Sequence, residues 1–232
     1  CAIVRAHYST WDGVAMAYEG FFYWADWNKY LEVEDERGMA KYMKTGSIMF
    51  MLKGADHTKK SLKLFKQIGV EHEVWDLETL KKKMPIYSHD SFNGTSRPDE
   101  DDSFFDKSGD QIEGAVWTPG SGYVSDPQLS THNLQVATEA KGGEFLFNAE
   151  IMEIRQSNGQ IQGVTLKSGE QIDCKVLVNV AGPHSFIINQ MAGVEDDMNI
   201  KTKALRHEVH HVSSPPGFDF EKDGVHTSDG DN

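Results

Sequence analysis

Cysteine is scarce in this sequence, and its scarcity excludes one class of protein. The 232 residues include only Cys1 and Cys174. Two thiols cannot form the disulfide framework that stabilises small secreted domains, and no metal-ligand spacing surrounds either of them. A reducing compartment fits this composition, so we expect a cytoplasmic protein.

Long apolar runs and an excess of positive charge are also missing. No run approaches the ~20 apolar residues that cross a bilayer, and the first residues lack the basic and apolar regions of a secretion signal. Basic side chains number 23 against 36 acidic ones, which gives a net charge of -13. This charge repels phosphate backbones and anionic lipid head groups. We therefore expect no membrane span and no nucleic-acid partner.

The sequence also lacks an opening Met and a glycine-rich phosphate turn. It opens with Cys1, and its last residues predict neither a capped helix nor a closing strand, so we expect a piece of a longer protein. A G-x-G-x-x-G turn holds a pyrophosphate at the amino end of a helix. The lookalike that contains Gly120 and Gly122 lacks the third glycine and follows Pro119, which predicts a plain loop.

The features that are present predict an α/β fold. Hydrophobic residues make up 38% of the chain and charged residues 25%, as in ordinary globular domains. Trp11, Trp24 and Trp27 have helical spacing and are interpreted as core or domain-interface residues. Apolar periodicity and capping residues predict helices at residues 11–31, 57–68, 77–83, 127–141 and 185–191, and strands at residues 46–52, 71–75, 115–117, 145–147, 151–154 and 161–166.

Two further segments have distinctive compositions. The run VLVNV at residues 176–180 is continuously apolar, which predicts a strand buried on both faces. The glycine turn that follows lets the backbone approach a ligand at the carboxyl edge of a sheet. Residues 88–113 are polar, acidic and rich in turn formers, which predicts a surface excursion. Gln111 stands there where a calcium loop needs Gly, so no metal is expected.

The first nine residues carry a resemblance to a known family. The segment CAIVRAHYS is similar to the T-x-I-V-R-x-x-Y segment of FAD-dependent amine oxidoreductases, which include sarcosine oxidase, glycine oxidase, dimethylglycine dehydrogenase and D-amino-acid oxidase. In the sarcosine oxidase branch this segment runs beside the flavin ring. The resemblance implies that Cys1, Ala2 and Ile3 contact the cofactor and that Arg5 holds the substrate carboxylate.

Two later stretches carry the same resemblance. The segment that begins GYVSDPQLS resembles the family's G-x-V-D-P-x-x-L helix and the strand after it, which implies that the backbone of Ile151 meets the adenine. The segment VLVNVAGPHS resembles I-V-N-A-A-G-x-W-S, which implies that Ala181 and Gly182 lie against FAD. His184 stands where many relatives carry Trp. The family's pyrophosphate turn would precede Cys1, so we expect this chain alone to bind FAD weakly or not at all.

The resemblance implies an architecture and a reaction. The fold would be an incomplete Rossmann-like FAD-binding part, residues 1–44 and 115–199, interleaved with an antiparallel substrate-domain sheet in residues 45–114 and 200–232. The reaction would be FAD-dependent oxidation of a small secondary or tertiary amine or amino acid, such as sarcosine or dimethylglycine. An arginine suits the site because its planar fork donates two hydrogen bonds to a carboxylate. The resemblance leaves the oligomeric state open.

Two alternatives come from other motifs. His207, Glu208 and His211 fit the H-E-x-x-H pattern of zinc hydrolases, with His226 available as a third ligand. That pattern requires a helix, whereas this short segment predicts a strand, on which the two histidines would lie ~13 Å apart. Cys1 could instead be an amino-terminal nucleophile with its own amine as base, but the helix predicted from Trp11 argues against that fold.

Overall fold

The computed structural model describes residues 2–54, 56–92, 101–103, 106–202, 204, 213 and 215–217. The described residues divide into two compact units: the first contains those up to 143 together with 215–217, and the second contains those from 144 to 213. The predicted division into FAD-binding and substrate-binding parts is a division by function, and it stays a prediction. In the described part of the chain, no helix combines the length and apolar character that a membrane span requires.

The first unit contains, among its described residues, a series of short strands and five helices. In chain order they are β1 (Ile3–Val4), α1 (Trp11–Ala25), α2 (Trp27–Leu31), β2 (Tyr42–Met43), β3 (Ser47–Met51), α3 (Asp56–Ile68), β4 (Glu73–Asp76), α4 (Leu77–Lys83), β5 (Asp90–Phe92), β6 (Lys107–Gln111), β7 (Gly114–Thr118), β8 (Gly122–Val124) and α5 (Pro127–Ala140).

Local capping signals fix several helix ends as the sequence predicts. Asp76 accepts a hydrogen bond from Thr79 N at 2.8 Å and begins α4. The side chain of Asp126 caps α5 in the same way, with two backbone N–H donors at 2.9 Å. Gly69 ends α3 with a φ of +88°, a left-handed conformation that glycine adopts most easily.

The predicted helix at residues 11–31 is wrong in one respect, because the structure divides it into α1 and α2. Asp26 leaves the helical conformation with a φ of -131° and acts both as the C-cap of α1 and as the N-cap of α2. Asp has a low helix propensity, and the side chain of Asp26 makes no capping hydrogen bond to α2. The apolar residues keep their helical spacing on both sides of Asp26, so the sequence pattern gave no sign of the break.

Two antiparallel three-stranded sheets organise the first unit. One has the strand order β3-β7-β4 and the other β1-β8-β2. Gly122 belongs to the second sheet, so the predicted plain loop in fact leads into a strand. A Cβ atom added at Gly122 would lie 1.9 Å from the carbonyl oxygen of Met43. A glycine at this position therefore allows β8 to lie close to β2.

The core of the first unit joins these sheets to α1 and α3. Its fully enclosed side chains include Val14 of α1, Phe65 of α3, Met49 of β3 and Val116 of β7. Each comes from a different element, so the core holds the helices against the sheets. Burying such side chains contributes about 1.5–3 kcal/mol each.

One buried asparagine ties α5 to the loop after α2. Asn133 Oδ1 accepts hydrogen bonds from Trp27 Nε1 at 3.3 Å and from Ala40 N at 3.0 Å. Asn133 Nδ2 donates to Asp35 Oδ2 at 2.7 Å and to the Gly38 carbonyl at 2.9 Å. The amide is thus satisfied on both sides, as a buried polar group should be.

The predicted irregular excursion at residues 88–113 contains regular structure. Strands β5 and β6 pair antiparallel within it. Lys107 Nζ of β6 lies 2.6 Å from Asp90 Oδ2 of β5. Both strands carry mostly polar residues, so no apolar alternation revealed them.

The second unit contains one three-stranded antiparallel sheet of order β11-β10-β9. Asn158 and Gly159, with φ values of 50° and 72°, form the predicted hairpin turn between β9 and β10. In chain order the elements are β9 (Ile151–Ser157), β10 (Gln160–Leu166), β11 (Gln171–Asp173), a 3₁₀ turn (Gly182–His184), α6 (Ser185–Met191) and a second 3₁₀ turn (Glu195–Asp197).

The strand predicted at residues 145–147 is wrong. Those residues form no strand, and the rings of Phe145 and Phe147 stack on each other at 5.9 Å with much of their surface exposed. Strand β11 takes the third place in the sheet instead. The apolar run at residues 145–147 ends at Asn148, whose φ of 56° turns the chain before β9 begins.

The buried strand predicted at residues 176–180 is also wrong. The segment forms no strand, and Val176, Val178 and Val180 are 77%, 73% and 85% exposed. Leu177, between two of them, packs against the small core of the second unit. A strand buried on both faces belongs to a sheet that has other elements packed on each face and neighbouring strands to pair with. The described part of this unit supplies no such neighbours.

Candidate functional site

A cavity of about 310 Å³ lies in the first unit beside β1. Its walls come from residues 2–5 and 8, from α1 and from the start of α5. This volume lies at the lower end of the ~300–1,000 Å³ that small-molecule sites occupy. The cavity therefore suits a small ligand or one part of a larger one.

Three of the predicted site residues line this cavity together. They are Ala2, Ile3 and Arg5. Val4 and Ala6 flank Arg5 and are buried in the core, as expected where successive side chains of an extended segment point to opposite faces. Arg5 is thereby directed away from the core and toward the cavity.

Among the described residues that line the cavity, Arg5 is the charged one. Burial lowers the pKa of Arg5 from its usual value, and the nearby Tyr8 partly opposes that change. Because a guanidinium keeps its proton in proteins, Arg5 is a cation here at neutral pH. A half-buried cation with a planar fork of donors binds a carboxylate more strongly than an exposed one.

Another part of the cavity wall is apolar and comes from α1. Met16, Gly20 and Trp24 follow one another at intervals of four residues, so they share one face of the helix. Trp24 stacks on Trp27 at 4.2 Å and is held by that contact. A Cβ atom added at Gly20 would meet nothing within 4 Å, so this position leaves space open. The spacing of these residues was visible in the sequence, but their role as a cavity wall was not predicted.

A buried polar cluster adjoins the Arg5 segment and was not predicted either. His7 Nε2 lies 3.0 Å from Thr118 Oγ1 and 3.3 Å from Ser47 Oγ. Thr118 Oγ1 lies 2.8 Å from Ser47 Oγ and 2.9 Å from Ser121 Oγ. All four residues are buried. We call them the His7 cluster.

The ring of His7 is held in its neutral form. Burial is the largest cause, and the charges of Arg5 and His57 act in the same direction, lowering the pKa of His7 to about 4. At neutral pH the ring is therefore an uncharged imidazole that is hydrogen-bonded to the hydroxyl groups of Thr118 and Ser47. A second positive charge beside Arg5 is avoided.

The second unit holds the other predicted cofactor residues. Ile151 begins β9, and Ala181 and Gly182 begin the 3₁₀ turn. Gly182 has a φ of 60°, and a Cβ atom added there would meet nothing within 4 Å. Open space beside a glycine backbone permits the close approach of a cofactor, so this turn fits the predicted role. Asn179, not predicted, holds the turn by accepting from Ala181 N at 3.2 Å.

The predicted residues thus form two groups, one in each unit. Ala2, Ile3 and Arg5 are together at the cavity, and Ala181 and Gly182 are together at the glycine turn. That the two groups bind one cofactor stays a prediction.

The remaining predicted positions lie outside the described residues. They are Cys1, His207, Glu208, His211 and His226. The flavin contact of Cys1 and the zinc alternative therefore stay untested. Within the part of the chain that the structure describes, no group of three or more His, Cys, Asp or Glu residues could hold a metal ion.

Solved structures with similar folds are proteins about twice as long as this chain. L-proline dehydrogenase from P. horikoshii is 19% identical, with a TM-score of 0.61 over 84% of this chain and 45% of that chain. Glycine oxidase from Geobacillus kaustophilus is 15% identical, with a TM-score of 0.56 over 83% of this chain and 47% of that chain. Iminodiacetate oxidase from Chelativorans sp. BNC1 is 15% identical, with a TM-score of 0.52 over 84% and 47%.

These likenesses confirm the fold class, an incomplete FAD-binding fold combined with antiparallel sheets. The chain spans less than half the length of these three structures. A search of curated proteins gives no match. The sequence itself matches the family described as FAD dependent oxidoreductase over residues 2–231, and the chain belongs to that family.

Proposed function

We propose that the protein containing this chain oxidises a small amine or amino acid, with Arg5 holding the substrate carboxylate. The observation that carries the proposal is the position of Arg5, a half-buried cation in the wall of a small cavity. FAD, the cofactor of the family, supplies the chemistry by taking a hydride equivalent from the carbon next to the nitrogen. Arg5 supplies orientation by fixing the other end of the substrate.

The likeness to solved enzymes supports the class of substrate. Glycine, proline and iminodiacetate, which appear in the names of three similar structures, each carry an amine and a carboxylate. A cavity with one fixed cation and an apolar wall matches that combination. Within this class we propose an N-methylated glycine such as sarcosine or dimethylglycine, because Met16 and Trp24 offer an apolar surface to a methyl group.

We also propose which residues hold the cofactor. Ala2 and Ile3 would contact it from the cavity side, and the open space beside Gly182 supports a contact from the glycine turn. The full proposed set of cofactor contacts is Cys1, Ala2, Ile3, Ile151, Ala181 and Gly182.

An exchange at Arg5 tests the proposal in the full-length, flavin-loaded protein. Arg5→Ala removes a charge-assisted pair of hydrogen bonds worth about 1.5–3 kcal/mol, so KM for N-methylglycine should rise about tenfold to a hundredfold. Flavin absorbance should stay unchanged. Arg5→Lys is the matched control, since it keeps the charge but loses the fork, and its effect should be intermediate. An unchanged KM in Arg5→Ala would remove Arg5 from the site and refute the proposal.

A further inference from the structure

The backbone around Arg5 is fixed on both sides. Before it, Val4 pairs with Gly122 in the β1–β8 ladder. After it, the His7 ring is held by Thr118 and Ser47. Only Arg5 and the enclosed Ala6 lie between these two anchors. The start of the Arg5 side chain therefore has little freedom to move.

A third contact fixes the chain just beyond His7. Ser61 Oγ of α3 donates to the Tyr8 carbonyl at 3.0 Å. Tyr8 also lines the cavity, so the anchored stretch and the cavity wall are continuous. The wall is thus connected through His7 to β3 and β7 and through Tyr8 to α3.

The His7 cluster has no direct route to a substrate. Thr118 and Ser121 have no exposed surface, and Ser47 has almost none. None of the four residues lines the cavity. The covalent connection between the cluster and the cavity wall is the short stretch of backbone from His7 to Arg5.

The surroundings of His7 explain why a histidine can serve as this anchor. The ring lies 6.0 Å from the ring of Phe65 on α3, and among the described residues Arg5 and His57 lower its pKa in addition to burial. A neutral imidazole fills this space and hydrogen-bonds to the hydroxyls without adding a charge. A lysine or arginine would add a buried charge, which is costly.

We propose that His7 is a positioning residue for Arg5, and that Thr118, Ser47 and Ser121 fix the His7 ring so that the guanidinium is held ready for a carboxylate. This inference rests on the proposed function of Arg5. Preorganisation of this kind strengthens binding because less freedom is lost when the ligand arrives.

The experiment compares two substitutions at Thr118 in the full-length, flavin-loaded protein. Thr118→Val removes the hydroxyl at the centre of the cluster, whereas Thr118→Ser keeps it. The ligands are N-methylglycine and its neutral carboxamide, N-methylglycinamide, and binding is measured by calorimetry alongside KM and kcat for N-methylglycine.

Thr118→Val should weaken N-methylglycine binding about threefold to tenfold, the range expected from one lost hydrogen bond. The same loss should appear in KM, while kcat stays within about twofold. Binding of N-methylglycinamide should stay unchanged, since it has no carboxylate for Arg5. Thr118→Ser should behave as the unaltered protein in every measurement.

Several outcomes would overturn the inference. Equal weakening for both ligands would show a general structural loss, and an unchanged Kd for N-methylglycine would show that Arg5 needs no such support. If Thr118→Val does not fold, Ser121→Ala at the edge of the cluster replaces it. Ser121→Ala should weaken binding of N-methylglycine by a smaller factor and leave binding of N-methylglycinamide unchanged.

Arg5→Ala separates the two proposals. If Arg5→Ala weakens binding while both cluster variants do not, only the positioning role fails. If Arg5→Ala has no effect, the proposed function fails.

Discussion

The buried histidine makes the stability of the first unit depend on pH. The pKa of His7 is about 4 in the folded chain and 6.5 in its ordinary state, so the unfolded chain binds a proton more readily. Above pH 6.5 the ring is neutral in both states, and the full stability is present. Between pH 6.5 and about 4 the unfolded chain gains a proton that the folded chain does not, so the free energy of unfolding falls as pH falls.

The gap between the two pKa values fixes the magnitude. Each tenfold difference in proton affinity is about 1.4 kcal/mol, so the full loss is roughly 3 kcal/mol. That is a large share of the ~5–15 kcal/mol that stabilises a domain. Coulombic effects of Arg5 and His57 add to the burial effect on the pKa of His7. Buried carboxylates take up protons at lower pH than His7 does. The pH range in which stability is lost therefore distinguishes their effect from that of His7.

Urea unfolding between pH 4.5 and pH 8 measures this loss, followed by tryptophan fluorescence. The sequence has five tryptophans, and the last is Trp117, so the signal reports on the first unit. In His7→Gln, the decrease in unfolding free energy between pH 7.5 and 4.5 should be about 2–3 kcal/mol smaller than in the unaltered chain. His184→Gln, at an exposed position of the second unit, is the control and should keep the full pH dependence. Equal pH dependence in His7→Gln and the unaltered chain would refute the reasoning.

Two other stability predictions follow from the packing of the first unit. Asn133→Ala removes a buried amide that makes four hydrogen bonds, and should lower the free energy of unfolding in urea by about 2–4 kcal/mol. Glu139→Ala, on the exposed side of the same helix, should cost less than about 0.5 kcal/mol, and similar losses at both positions would contradict this. Gly122→Ala should lower the thermal midpoint, because its Cβ would collide with the Met43 carbonyl, at a cost of about 1–3 kcal/mol. Gly20→Ala places the same methyl group in open space within a helix and should instead add about 0.5–1 kcal/mol, so a shift of the same sign in both variants would be against the prediction.

Local signals in the sequence predict much of the fold. The caps at Asp76 and Asp126, the stop at Gly69 and the hairpin at Asn158 each depend on residues within a few positions of one another. Such signals hold because the backbone conformation they favour is decided by the neighbouring residues themselves. The break between α1 and α2 was not predicted, because the apolar spacing continues through it.

Features that depend on distant partners could not be predicted. The two-residue strand β2 carries no periodic pattern and exists only because β8 pairs with it. The His7 cluster joins positions 7, 47, 118 and 121, which become neighbours only once β3 and β7 have paired. At the candidate site, the resemblance predicted a role for Arg5. The residues that support Arg5 could be identified only from the folded structure.

The valines at residues 176–180 give the second unit a property that matters for handling this chain. Val176, Val178 and Val180 present a bare β-branched row to solvent, while Leu177 and Asn179 between them are half-buried. Extended apolar rows of this kind invite intermolecular strand pairing. Lys175 before the row and Pro183 after it limit such pairing only at the two ends of the row. Concentrated preparations of this chain by itself are therefore prone to aggregate through this row, and charged substitutions on the valine face should increase the soluble yield.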